Sequence, residues 1–220
     1  QAQKAASEDP SYQVNVESLK SAQPKNLDAS EIEVRLGATW IDKSYIQQFM
    51  IETLDPPAYL HDRIIVNYSK FTAEWNISNK MAVPSNDVAA YTTYGTDRAN
   101  GYRILEDSLN LRDVRIYDTI EDAEGKEKRV LNAKQTTLAQ QKQQALKDAF
   151  KDWIFKDPER RQALVHHYNE TMNNTRPREY DGSHIVFPGI NPEIQLQPHQ
   201  VNAIAHVLYG GNTLLAHEVG

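Results

Sequence analysis

Apolar and polar positions divide the chain into a sparse start, a densely patterned middle and a short end with a pattern of its own. Residues 1–26 set few apolar anchors among Gln, Ala, Ser, Lys and Asp, with Pro10 and Pro24 interrupting them. Such a composition buries too little surface to offset the entropy of ordering, so the segment reads as a flexible linker or loosely attached arm. Order is expected from Leu27 onward. Asp28-Ala29-Ser30-Glu31 can open a short helix that ends at Gly37, a residue suited to the left-handed conformation after a helix. Asp42 can cap a second helix, with Ile46, Phe49, Met50 and Leu54 on one face. Asp55-Pro56-Pro57 stops it, since proline cannot continue a helix.

Two stretches change period from 3.6 to 2. Ile64, Ile65 and Val66 form an apolar run, after which Phe71, Ala73, Trp75 and Ile77 alternate with polar residues, predicting a hairpin with one buried face. A second hairpin is expected to pair Val114-Arg115-Ile116-Tyr117 with Arg129-Val130-Leu131 across an acidic turn around Gly125. Between them, residues 98–109 read as a helix with Ile104, Leu105 and Leu109 inward. A long helix over 133–155 follows, with Leu138, Leu146, Ala149, Phe150, Trp153 and Ile154 as its apolar stripe. Asp157 then caps another helix, with Pro158 at its first position and Leu164, Val165, Tyr168 and Met172 inward. The short connection predicts a long αα-hairpin. The fold class is therefore α+β, with residues 27–180 as one mixed domain.

Composition narrows the function. No run of 18 apolar residues exists, so no membrane span is expected, and the first ten residues lack the apolar centre of a signal peptide. Cysteine is absent, which removes disulfides, thiolate zinc sites and cysteine nucleophiles. A cytoplasmic location is expected. The net charge of −6 argues against a surface that is basic throughout. Residues 126–178 nevertheless hold 12 Lys/Arg against 6 Asp/Glu. Lys142, Lys147, Lys151, Arg160 and Arg161 are thus candidates for a DNA-facing side of the helix pair. A merely solvated helix face, or a protein-binding module, explains the same charges.

Residues 181–220 carry the sharpest motif. Leu196-Gln197-Pro198-His199-Gln200 precedes a helical stretch from Val201 to Leu208, Gly210-Gly211 stops it, and an apolar strand over Thr213 to Ala216 leads into His217-Glu218-Val219-Gly220. This order resembles the entrance of a superfamily-two helicase motor of the Swi/Snf type. The resemblance implies the first helix and strand of a truncated RecA-like domain. Gln200 would read the adenine edge, its amide both donating and accepting. Glu218, Val219 and Gly220 would begin the phosphate-binding loop. The lysine and threonine that complete such a loop do not occur in this chain, so no activity is expected of it alone. ATP and Mg are expected only in a full-length parent. His217 stands where family members usually carry an acidic residue.

A narrower resemblance rests on Tyr180-Asp181-Gly182-Ser183-His184, Phe187-Pro188-Gly189, Asn191-Pro192 and Tyr94-Gly95-Thr96-Asp97-Arg98. These are similar to segments of large fusions of a DNA adenine methyltransferase with a Swi/Snf-like helicase on bacterial conjugative elements and phages. The implied partners are DNA and the helicase and methyltransferase domains of the parent. Other motifs read as structural. Asp55-Pro56-Pro57-Ala58 lacks the aromatic that a base-holding loop needs directly after its prolines. His166-His167 point about 100° apart on a helix, one expected inward and one outward, with no metal-ligand spacing. Asp181, Ser183 and His184 read as a hydrogen-bonded turn rather than a triad. Trp40, Trp75 and Trp153 are expected in the core.

Overall fold

The computed structural model describes residues 2–121, 126–176, 178–191 and 193–216. The chain divides into two compact units, residues 24–174 and, separately, residues 1–23 with 175–220. Helices and two small antiparallel sheets make the fold α+β.

The larger unit holds α3 (Lys43–Leu54), β1 (Val66–Ser69), β2 (Glu74–Ile77), α4 (Gly101–Leu109), β3 (Tyr117–Glu121), β4 (Glu127–Leu131), α5 (Ala133–Ile154) and α6 (Pro158–Thr171). The Asp42 carboxylate accepts from the Ser44 backbone at 2.9 Å and so caps α3, whose Ile46, Phe49, Met50 and Leu54 are buried as their spacing predicts. Asp55 ends the helix in the left-handed conformation (φ 42°) just before the two prolines. Asp157 caps α6 in the same way, accepting from Arg160 at 2.7 Å. The core centres on Phe49, whose ring meets Phe150 edge-on at 5.1 Å.

The first hairpin is fastened along its length by side chains of the helices beside it. The Gln47 amide of α3 donates to the Ile64 carbonyl and accepts from the Val66 N–H. On the far edge, Asn110 accepts from the Trp75 N–H and donates to the Trp75 carbonyl, both at 2.9 Å. Glu106 takes the Ile77 N–H and pairs with Lys80. A carboxamide carries donor and acceptor together, so one side chain can stand in for a neighbouring strand. Asn169 brackets the Leu27 backbone likewise at 2.8 and 2.9 Å, tying the start of this unit to α6.

Several expectations need correction. Residues 28–37 form turns instead of a helix. Ile32, Val34 and Leu36 are all buried, a period of two that only an extended chain produces. Gly37 is nonetheless required, since its φ is 87° and a Cβ there would lie 2.3 Å from the Leu109 carbonyl oxygen. The turn of the first hairpin comes later than expected, over residues 70–73: Ala73 has a positive φ of 54° and Phe71 is fully exposed. Strand β3 begins only at Tyr117, paired with Leu131. Val114 and Ile116 are buried, but their backbone groups are bonded to α5: Gln143 accepts from Val114, Gln140 donates to it, and Thr136 accepts from Ile116. No strand can pair where helix side chains already occupy the ladder positions. The acidic turn around Gly125 lies outside the described residues.

The αα-hairpin is also corrected. Helix α5 packs against α4 and α3 and does not run alongside α6. Its inward face, with Ala139, Gln143, Leu146, Phe150 and Ile154, is already filled by those two helices. Leu138 faces solvent, because Thr136 and Gln143 set the phase of that face. Helix α6 instead brings Tyr168 edge-on to Trp40 at 5.0 Å.

In the smaller unit, residues 2–22 are helical, which composition did not lead one to expect: α1 (Ala2–Glu8) and α2 (Gln13–Ala22) flank a single turn capped by Asp9. The unit also holds α7 (Pro198–Gly210). Residues 213–216, expected as a strand, have no regular structure. A strand needs a neighbour to complete its hydrogen bonds, and none flanks them among the described residues.

Candidate functional site

Helix α7 carries the sequence motif. Pro198 occupies its first turn, and Gln197 and Gln200 form a reciprocal cap, the Gln200 Oε1 accepting from the Gln197 N–H at 2.9 Å. A glutamine at the third helical position is suited to this capping box, so Gln200 has a local task independent of any ligand. Its side chain is exposed, and its amide nitrogen makes no hydrogen bond among the described residues. The helix ends at Gly211, with φ 79°. Glu218, Val219 and Gly220 lie outside the described residues, as does His217.

Residues 178–184 are laid against α7. The Tyr180 ring stacks on His206 at 4.3 Å, and the Gly182 N–H donates to Asn202 at 3.0 Å. A side chain at position 182 would bring its Cβ to 2.3 Å from the Val201 carbonyl oxygen, so this approach requires glycine. Ser183 gives both its N–H and its hydroxyl to the Asp181 carboxylate, which holds that carboxyl below its usual range. His184 instead reaches the Tyr209 hydroxyl at 3.2 Å. The three residues therefore make a turn, as their adjacency predicts, and the hydroxyl has no imidazole beside it to act as base. Pro192, in the Asn191-Pro192 pair, lies outside the described residues.

The basic residues of α5 and α6 do not assemble into one face. Arg160 is 8% exposed: its guanidinium lies 3.6 Å over the Trp153 ring and donates to the carbonyls of Ile154 and Trp153, closing the end of α5. This corrects its reading as a DNA-facing side chain, because terminal helix carbonyls are a stronger demand on a buried guanidinium. Lys142 donates to the Thr92 carbonyl at 2.6 Å. Lys147 and Lys151 line a cleft of about 300 Å³ together with Arg35, Glu33 and Asp113, so two carboxylates stand among its three basic side chains. Arg161 borders a different depression, near Asn26 and Ser30.

His166 and His167 are both exposed, against the expectation that one faces inward. His166 pairs with Glu170 at 3.3 Å, and no cluster of His, Cys, Asp or Glu suited to a metal occurs among the described residues. Trp75 is buried at 5% exposure, while Trp40 and Trp153 are half-buried, Trp153 donating to Glu52 at 2.6 Å. No described helix is long and apolar enough to cross a membrane.

One feature that residue spacing did not disclose is an aromatic cleft between the first hairpin and α6. It is lined by Trp40, Tyr68, Phe71 and Trp75 with Lys43, Lys70 and His167, and measures about 780 Å³. Its only visible sequence sign is Phe71 beside Lys70, hidden because the strand pattern assigned Phe71 inward.

No curated protein and no solved structure matches the chain. Residues 35–174 match a family model described as a domain of unknown function, DUF8437. The match ends where the larger unit ends and covers more than half of the chain, so the protein belongs to the DUF8437 family.

Proposed function

We propose that this chain is the region leading into the ATP-driven motor of a Swi/Snf-like DNA helicase or translocase, with the DUF8437 unit as the accessory domain before the motor. The observation that carries this reading is the placement of the Leu196-x-Pro198-x-Gln200 pattern. It opens α7, Gln200 stands exposed in the first turn, and the helix breaks at Gly211 before the apolar Leu214-Leu215. Adenine presents an adjacent donor and acceptor on its edge, and an exposed carboxamide is the side chain that satisfies both. Val207, Leu208 and Leu214, all exposed, would pack against the remainder of a RecA-like domain. In the parent, Glu218, Val219 and Gly220 would start the loop whose backbone N–H groups hold phosphates, with Mg offsetting their charge. The narrower resemblance extends the proposal to a methyltransferase–helicase fusion.

The test is ATP hydrolysis by a longer protein that contains residues 1–220 and the loop beyond them. Hydrolysis should rise on adding DNA and fall with loss of the loop lysine. A well-folded protein without any ATPase activity contradicts the proposal. The polypeptide of residues 1–220 itself should show no micromolar ATP binding by calorimetry, because one adenine contact contributes only on the order of 1 kcal/mol.

A further inference from the structure

The aromatic cleft of the larger unit has a composition that a folding role does not explain. Phe71 sits at the turn of the β1–β2 hairpin and is fully exposed, although an apolar ring gains by leaving water. Tyr68 packs on Trp75 with ring centroids 4.7 Å apart, and Trp40 completes the aromatic wall from the chain before α3. Lys43, Lys70 and the exposed His167 stand around the cleft, and Asp42 is its one carboxylate. That carboxylate already accepts from the N–H and hydroxyl of Ser44, so it is committed to capping α3. The volume of about 780 Å³ lies within the range of about 300–1,000 Å³ found for ligand sites.

Flat aromatic faces next to lysines, with little opposing charge, match one ligand chemistry: unpaired bases strung on phosphates. Duplex DNA keeps its bases stacked on each other and offers Phe71 nothing to stack on. The cleft lined by Lys147 and Lys151 also carries Arg35, Glu33 and Asp113, but it has no aromatic residue on which a base could stack. We propose that the cleft between the first hairpin and α6 binds single-stranded DNA, with a base stacked on Phe71 and phosphates held by Lys43 and Lys70. The choice of DNA over RNA rests on the helicase reading above; the stacking and phosphate contacts do not.

The test uses the 220-residue chain and a fluorescein-labelled oligo-dT of about twelve nucleotides, within the length range such sites cover, read by anisotropy at low salt. Saturable binding is expected. Phe71→Ala should weaken it about tenfold, and Phe71→Tyr should restore it. Replacing both Lys43 and Lys70 by alanine should reduce the slope of log affinity against log salt by about 1.4, two single-strand phosphate contacts. All three side chains are exposed, so thermal melts of the variants should match the parent and exclude misfolding as the cause. Binding that is unchanged in Phe71→Ala overturns the proposal. So does preference for oligo-U over oligo-dT, or self-association of the chain that Phe71→Ala abolishes without oligo-dT binding. Because no ATP enters, failure of the ATPase test leaves this measurement standing.

Discussion

The two units differ in how many of their apolar side chains they bury. Every buried apolar side chain among the described residues belongs to residues 24–174, except Val16 and Ala205. The smaller unit leaves Val186, Ile194, Val207, Leu208 and Leu214 at half exposure or more. The larger unit also closes its backbone accounts over long distances, through Gln47, Asn110, Gln143 and Asn169. In the smaller unit the side-chain bonds are mostly within a few residues, with Gly182 to Asn202 and His184 to Tyr209 as longer ones. The difference teaches where stability and recognition reside. A packed core held by clamps sets the stability of residues 24–174, whereas exposed apolar surface is the mark of a region that meets something else.

Breaking the core should therefore cost most. Trp75→Ala removes a large side chain at 5% exposure and should destabilise the larger unit by about 3–5 kcal/mol in denaturant unfolding. A loss below about 1 kcal/mol would mean the hairpin contributes little to the core. The clamps come next. Gln143→Met keeps the bulk but strands the Val114 N–H and Arg112 carbonyl, and should cost about 2–3 kcal/mol.

That clamp also explains what could be read from residues alone. Caps and periodicity announced α3 and α6, because Asp42 and Asp157 do by sequence what they do in space. The amphipathic phase of α5 was obscured because polar Gln143 and Thr136 occupy inward positions that pattern reasoning reserves for apolar side chains. The same two residues turned Val114 and Ile116 into an extended segment lying on a helix, with the alternation of a strand and no strand partner. At the candidate site, the Leu-x-Pro-x-Gln pattern was legible as the start of α7, but the part Gln200 plays in the helix cap emerged only from geometry. The aromatic cleft was invisible, since it joins residues 39–43, 68–75 and 167–172 through tertiary packing.

A smaller effect concerns pH. Bonds from the Ser44 side chain and backbone hold the Asp42 carboxyl below its usual range. A depressed carboxylate contributes stability above its unfolded pKa of about 3.9 and loses it as pH falls through the lower folded value. Asp42→Ala should thus cost about 1 kcal/mol at pH 7. The gap between variant and parent should close on acidification below about pH 4, as urea titrations at each pH would reveal. A gap that stays constant down to pH 2 contradicts the capping role. The smallest effect is expected in the other unit: Leu208→Ser on the exposed face of α7 should change stability by less than about 0.5 kcal/mol. A larger loss would show that α7 is packed as tightly as the core helices.

The central claim is that Gln200 serves a nucleotide and not only its own helix, and Gln200→Glu separates the two. Glutamate at this position keeps the capping box but replaces the amide donor by a second acceptor, which cannot pair with an adenine edge. The decisive measurement is the ATP concentration for half-maximal DNA-stimulated hydrolysis by a protein carrying residues 1–220 together with the complete loop, compared between the parent and Gln200→Glu. A rise of about tenfold or more is expected, as loss of a donor and burial of an unpaired charge entail, with the helical content unchanged. An unchanged ATP requirement would leave Gln200 as a helix cap and contradict the account.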